Sequence, residues 1–251
     1  MITSNPGIYH TPYSIDPNNP ATSSETPSTS AVSRVKRGVA NKQALWPQHA
    51  TITIAFMGAT EFQKDYIRRV IEETFSGLIN LQLNFVEGTY GNIRISTAKD
   101  GTGTWSTLGT NALTVRADEP TMHIDFPPST GNLEANIMHE FGHALGLEHE
   151  HQHPDRRLDF NTPNAYRYFK NRYNWRQSDT YSNILRKLKP ADVITRPYDE
   201  KSIMHYPLSD VVLWKQSEIG LNVTLTVEDK LFLTLLYPPS DFGRGRHRSP
   251  R

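Results

Sequence analysis

Cysteine is absent from the 251 residues, and its absence excludes three kinds of chemistry together. The chain can form no disulfide, offer no thiolate to a metal and use no cysteine nucleophile. A helix that spans a membrane needs a run of about eighteen or more apolar residues. The chain lacks such a run, so no membrane-spanning helix is predicted. Met1–Gly7 lacks the basic region and apolar core of a signal peptide. The formal net charge of +1 neither indicates nor excludes a nucleic-acid partner.

Large apolar residues are scarce at both ends of the chain. Residues 1–33 are dominated by proline, serine, threonine and asparagine, and such a segment cannot offset the entropy cost of ordering. The basic cluster Arg34–Arg37 follows, and it is either a solvated linker or a processing site. We therefore predict one folded domain over residues 46–239. We predict that residues 1–45, before this domain, are disordered and are a candidate pro-segment. Residues 240–251, after it, are predicted to be a disordered basic tail.

The most informative stretch is residues 139–150, His-Glu-Phe-Gly-His-Ala-Leu-Gly-Leu-Glu-His-Glu. On a helix, His139 and His143 share one face and can bind one metal ion. Glu140 lies beside that ion, where a general base for water is needed. Gly146 can leave helical geometry at little steric cost and turn the chain so that His149 becomes a third ligand. Three histidines leave a position open for water, which is typical of catalytic zinc.

A His-Glu-x-x-His match alone can arise by chance on a surface helix. Here the glycine and the third histidine extend it, and Ser202–Tyr206 (Ser-Ile-Met-His-Tyr) lies downstream. An extended histidine motif followed by a methionine-containing turn is a metzincin signature. We expect Met204 to form an apolar floor beneath the metal, because thioether sulfur is a poor match for this ligand set.

Two further features resemble the astacin family of zinc endopeptidases: Glu150 directly after the third histidine, and Tyr198-Asp199 leading into the methionine turn. The resemblance runs from Trp46-Pro47 to Tyr237-Pro238. Secreted astacins usually carry two disulfides, so the chain is more similar to the cysteine-poor microbial and fungal branch. The resemblance implies that Tyr206 binds zinc in the resting enzyme and swings out to hydrogen-bond the oxyanion. The alternative for Tyr206 is an aromatic residue that only packs in the turn.

The resemblance also implies a role for Glu150, which would interact with a new N-terminus freed by removal of a pro-segment. Cleavage after Arg37 would leave Gly38 as that N-terminus. The family's pro-segment blocks zinc through an aspartate in a Phe-x-Gly-Asp motif, and residues 1–37 offer only Asp16, without that context. Maturation at this site is therefore a hypothesis.

The order of predicted strands and helices indicates an α+β fold, and the resemblance implies that it is of the zincin/metzincin type. A mixed twisted sheet with two long helices would form the upper half, and an irregular helical lower half would follow. Strands are predicted at Thr51–Met57, Leu81–Val86 and Asn92–Thr97, and a helix over residues 61–76. Further along, the pattern predicts one or two strands at Val115 and Met122–Phe126, one being the edge strand along which a peptide substrate lies.

Other segments leave alternatives open. Asp100–Thr110, around Trp105, is either a flexible loop or part of the upper rim of the cleft. His123 is interpreted as a half-buried strand residue and not a fourth ligand. His151 and His153 are expected at the surface or behind the ligands. Thr130 or Asn132 is expected to cap the helix that carries the two histidines.

The sequence thus predicts a zinc-dependent endopeptidase that hydrolyses peptide bonds with a metal-activated water, Glu140 as general base and one Zn²⁺. Its substrates would be proteins or peptides, and no substrate-binding residue is assigned. We expect a monomer without a membrane or nucleic-acid partner. We also expect secretion, for which the single sequon at Asn222 is weak support. The rival hypothesis is an inactive zinc-binding pseudoprotease or interaction module, which would need a lost base.

Overall fold

A computed structural model describes residues 8–10, 38–99, 103–126 and 132–239. The basic cluster at 34–37, Asp16, Thr130 and the tail over 240–251 lie outside these described residues. The strands within them are β1 (Ile8–His10), β2 (Gly38–Asn41), β3 (Thr51–Met57), β4 (Gln82–Phe85), β5 (Ile93–Ser96), β6 (Trp105–Thr107), β7 (Met122–His123) and β8 (Val193–Arg196). The α-helices are α1 (Glu61–Phe75), α2 (Leu133–Ala144), α3 (Thr162–Tyr173), α4 (Gln177–Thr180) and α5 (Val227–Leu236).

The upper half is a six-stranded mixed sheet in the order β1-β6-β7-β5-β3-β4. Strands β3, β4, β5 and β7 run parallel, and β6 pairs antiparallel with β7. Parallel strands need crossover connections, and α1 supplies the one between β3 and β4. The predicted α+β architecture with a mixed sheet is thereby confirmed.

Helix α1 begins at a capping box, in which the Thr60 hydroxyl accepts from the Gln63 backbone and the Gln63 side chain returns a contact to Thr60. Its buried stripe ends at Phe75, whose ring lies 5.0 Å from that of Phe141 on α2. The predicted helix and the first three predicted strands all form, with ends shifted by a residue or two. Burial of this stripe joins α1, α2 and the sheet in one apolar core.

The prediction of the edge strand is wrong. Val115 follows a 3₁₀ helix over Gly109–Thr114, and its carbonyl accepts from the Arg94 guanidinium at 3.2 Å, so it joins no ladder. Strand β7 lies inside the sheet. Strand β6, which lies in the Gly- and Thr-rich segment that could also have been a flexible loop, pairs with β7 on one side and β1 on the other. Three residues are too few to show a period in the sequence.

The lower half is built from short elements around a second apolar cluster that includes Phe169, Ile184 and Val212. Helix α3 ends at Asn174 in the left-handed conformation (φ 55°), and α4 continues into a π-helical turn over Tyr181–Leu185. Helix α5 begins at a capping box between Thr226 and Asp229, a Thr-x-x-acid pattern that is typical of a helix start. The helical lower half is therefore confirmed.

Strand β2 corrects the expectation of disorder before residue 46, because Gly38–Asn41 pairs antiparallel with β8. The partner strand is more than 150 residues away in the chain, so no local pattern indicates the pairing. Within the described ranges, no helix is long and apolar enough to cross a membrane.

Candidate metal centre and active site

Helix α2 carries the first two histidines on one face. His139 and His143 are fully buried, and their ring centroids lie 4.8 Å apart. The opposite face holds an apolar stripe, in which Ile137, Phe141 and Leu145 are all buried in the core. Asn132 occupies the N-cap position as one of the two predicted caps, but its side chain makes no capping hydrogen bond. The helix is therefore fixed by packing, and packing orients its histidines.

Gly146 turns the chain as predicted. Its φ is +92°, a conformation that glycine adopts without a Cβ penalty. The Gly146 amide donates to the His143 carbonyl at 2.8 Å, and the Leu147 amide donates to the Gly142 carbonyl at 3.0 Å. These contacts close the C-terminus of α2 and return the chain towards the helix face, so that His149 lies beside the first two histidines.

Backbone carbonyls select the nitrogen that His139 and His143 present to a metal. His139 Nδ1 lies 2.7 Å from the Ile203 carbonyl oxygen, and His143 Nδ1 lies 2.7 Å from that of Leu147. Each Nδ1 donates its hydrogen, which leaves Nε2 as the metal-binding atom. One nitrogen from each of the three histidines lies within 4.8 Å of the others. Tetrahedral zinc at about 2.0–2.1 Å requires nitrogens about 3.3 Å apart, so the three residues are positioned to bind one zinc ion.

Burial also keeps these rings in the neutral form that binds metals. Desolvation lowers the pKa of His139 to about 4. It lowers the pKa values of His143 and His149 well below the usual 6.5, and the neighbouring imidazoles lower them further. Neutral imidazole keeps a lone pair for the ion, so the site can bind zinc without first losing protons near neutral pH.

The methionine turn lies directly against α2. A Cβ on Gly142 would approach Met204 Sδ to 2.6 Å, so glycine is needed for this contact. The Met204 carbonyl accepts from the Glu150 amide at 2.9 Å, which ties the turn to the segment after His149. Of the three predicted support residues, Gly146 thus lies at the end of α2, Met204 lies against that helix, and the Glu150 amide binds the Met204 carbonyl.

Asp229 is a residue that the sequence indicates only as part of a helix cap. Its buried carboxylate accepts from the Ser202 hydroxyl at 2.6 Å and from the Ile203 amide at 3.0 Å. Ile203 is also the residue whose carbonyl accepts from His139. Asp229 thus links the start of α5 to the first zinc ligand, and only a three-dimensional contact could have shown this.

Tyr206 is buried among imidazole rings. Its ring centroid lies 4.1 Å from His149, 4.6 Å from His151 and 6.0 Å from His139. The structure therefore places it next to the candidate metal ligands, at the end of the methionine turn.

Two buried carboxylates flank the histidines. Glu140 follows His139 on α2 and is completely inaccessible to solvent. Glu150 is 1% exposed, and its Oε1 accepts from the Asp199 amide at 2.9 Å. The Tyr198-Asp199 pair that carries part of the family resemblance thus lies against Glu150.

Of the two positions expected for His151 and His153, the structure excludes the surface, since both side chains are fully buried. His151 Nε2 lies 2.7 Å from the Asn183 carbonyl oxygen, and His153 Nε2 contacts that of Arg196. Neither belongs to the metal-binding group in the described residues. They act behind the ligands by fixing lower-half backbone, which is the second of the two positions expected from the sequence.

Taken together, the mixed sheet, the histidine helix and the methionine turn define a zinc peptidase of metzincin architecture. The profile of the astacin peptidase family matches residues 38–219. A solved structure of myroilysin is 31% identical with a TM-score of 0.76, over 80% of this chain and 98% of that one. A second myroilysin structure is 30% identical with a TM-score of 0.56, over 78% and 87%.

A hatching enzyme zinc-protease of the medaka fish Oryzias latipes, high choriolytic enzyme 1, shares the fold. It is 20% identical with a TM-score of 0.51, over 78% of this chain and 96% of that one. No curated protein sequence matches the chain. The chain belongs to the astacin family. It is a zinc metalloendopeptidase, and proteins or peptides are its substrates, which confirms the predicted activity and cofactor.

Proposed function

We propose that Glu140 is the general base and acid of this endopeptidase. Zinc, when bound, supplies a water of lowered pKa and polarises the scissile carbonyl. The Glu140 carboxylate takes a proton from the attacking water and later delivers it to the leaving amine. The observation that carries the assignment is a buried carboxylate on α2 directly after His139. It also argues against the rival pseudoprotease hypothesis, which needs this base to be missing.

Tyr206 is proposed as the oxyanion donor, and as an additional zinc ligand in the resting enzyme. Its burial against His149 and His151 supports this role, because a phenol near the ligands can exchange between the ion and a bound substrate. Met204 supports the site from below, and Gly146 and Glu150 hold the segment that carries His149.

Strand β6 is proposed as the edge along which the substrate binds. It packs against α2, and its outer side pairs antiparallel with Ile8–His10 of the same chain. An extended peptide can therefore add to this edge by backbone hydrogen bonds. A substrate would have to displace β1, which is consistent with a latent form of the full chain.

We also propose that the protein matures by proteolytic cleavage after Arg37. Gly38 would become the N-terminus, and the family profile begins at this residue. A side chain at Gly38 would overlap the Phe232 ring, so only glycine fits there. Because β2 already pairs with β8, the new N-terminus would start inside the lower half, where Glu150 and Asp199 are buried. N-terminal sequencing of active protein from its native source tests this, and activity with residues 1–37 intact would contradict it.

The remaining proposals concern the whole chain. We propose a folded domain over 46–239 preceded by a pro-segment and followed by a basic tail, with β2 as the part of 1–45 that joins the domain. We also propose a secreted monomer that binds no nucleic acid. Size-exclusion chromatography with light scattering tests the monomer.

The assignment of Glu140 is tested by Glu140→Gln. The substitution removes the proton acceptor but no zinc ligand. We expect one zinc per chain to remain, and peptide hydrolysis to fall by several orders of magnitude. Near-native hydrolysis by this variant would rule out the role.

A further inference from the structure

His123 makes two contacts that neither the zinc site nor the strand pattern explains. It lies on β7 and is 1% exposed. Its Nδ1 is 2.6 Å from the Gly103 carbonyl oxygen, and its Nε2 is 2.7 Å from the Ala98 carbonyl oxygen. One ring therefore bridges two points on the segment that connects β5 to β6.

The chemistry of these contacts is specific. A carbonyl oxygen only accepts, and each ring nitrogen of histidine can present an N–H to such an acceptor. Each such contact holds one carbonyl in place, with the modest net gain in free energy of an ordinary hydrogen bond. His123 thus fixes the described residues on either side of this connection, 98–99 and 103–104, which we call the rim loop. The Asp125 amide adds a contact to the Thr104 hydroxyl at 3.1 Å.

The rim loop leads directly into the proposed substrate edge. His123 pairs in register with Trp105 of β6, and Trp105 pairs on its other side with His10 of β1. The indole of Trp105 lies over the His123 ring, with centroids 6.3 Å apart and planes inclined by 17°. A residue paired opposite Trp105 in an antiparallel ladder projects its side chain to the same face as the indole.

We propose that His123 is a positioning residue for substrate recognition. By holding the carbonyls of Ala98 and Gly103 and backing the indole of Trp105, it shapes the subsite for the substrate residue in register with Trp105. That subsite takes a large apolar or aromatic side chain, because the indole forms its wall. This inference rests on the proposed binding of substrate along β6.

Three substitutions separate the carbonyl contacts from simple packing. His123→Phe keeps a ring over Trp105 and loses both donors. His123→Gln and His123→Asn lose the ring, but each offers an amide in place of one ring nitrogen. His49→Asn is the matched control, since His49 is exposed on another loop and asparagine tolerates its φ of 60°.

Hydrogen exchange of the full chain, read by mass spectrometry, is the first measurement. We expect amides of the rim loop to exchange about tenfold or more faster in His123→Phe, and less so in His123→Gln and His123→Asn. The control and the amides of β3 should not change. If packing were the only role, the order would reverse, with His123→Phe the mildest variant, and the proposal would be overturned.

Peptide-library cleavage by the active enzyme is the second measurement. We expect His123→Phe to raise KM for extended peptides about tenfold with kcat nearly unchanged, and to flatten the preference at one substrate position only. An unchanged KM and preference would contradict the proposal. If the unsubstituted protein cleaved no peptide, the proposed function itself would fail, whereas the exchange experiment would still report on how His123 holds the rim loop.

Discussion

The upper and lower halves of this molecule are stabilised in different ways. In the upper half, α1 and α2 bury apolar stripes against a sheet, in one continuous core. In the lower half, polar side chains hold backbone carbonyls. The Arg156 guanidinium contacts the carbonyls of His151, Leu185 and Arg186, and the Gln152 amide contacts that of Ser182. The upper half therefore derives its shape from burial, and the lower half from specific side-chain contacts around a small apolar cluster.

The zinc site joins these two regions. His139 and His143 come from the upper-half helix, while His149 follows the turn at Gly146. The carbonyl that orients His139 belongs to Ile203 in the lower half. Zinc binding should accordingly stabilise the lower half more than the upper, since metal and folding free energies are coupled.

The largest effect is expected from removing a ligand. His143→Ala should abolish tight zinc binding and with it hydrolysis. It should also raise hydrogen exchange across the lower half while the sheet stays protected. If both halves lost protection from hydrogen exchange equally, the claim that zinc stabilises the lower half more than the upper half would be wrong. His49→Asn is again a suitable control, because that side chain is exposed.

Tyr206→Phe comes next and separates catalysis from packing at the boundary. The substitution keeps the ring among the histidines but removes the hydroxyl. We expect kcat to fall about 10²–10³-fold, the usual loss for one oxyanion donor, with little change in unfolding free energy. An unchanged kcat would show that Tyr206 only packs in the turn and does not act in catalysis.

Acid should lower the folding stability of the zinc-free protein around its buried histidines. Burial lowers the pKa of His139 and of His205 to about 4 from the usual 6.5. The unfolded chain therefore binds protons that the folded chain does not, and stability is lost as the pH falls from about 6.5 towards 4. Hydrogen exchange of the zinc-free protein across this range checks it. Stability that rises on acidification would contradict the assignment.

The smallest effect is expected at the turn. Gly146→Ala places a Cβ at a φ of +92° and within 2.9 Å of Leu45, which should cost about 1–2 kcal/mol. Thermal unfolding measures this loss, and zinc affinity should fall with it because His149 moves. A Gly220→Ala control has no atom within 4 Å of the added methyl group and should change little.

The contrast also explains what could be predicted from the sequence. The period of Thr51–Met57 and the stripe on α2 reflect burial, so the upper half was predictable from local patterns. The zinc ligands were predictable because their spacing is local too. The β2–β8 pairing, the burial of His153 and the contacts of Asp229 depend on residues far apart in the chain, and no local period reports them. Strand β6 was missed because it has only three residues.

Zinc titration of the metal-free protein tests the whole account most directly, with hydrolysis of a peptide and hydrogen exchange followed in the same samples. The protein cut after Arg37 is used beside the full chain, so that a latent form does not mask activity. We predict that hydrolysis and lower-half protection rise together and reach their limits at one zinc per chain. Hydrolysis that persists without zinc, or protection that does not respond to it, would contradict the account.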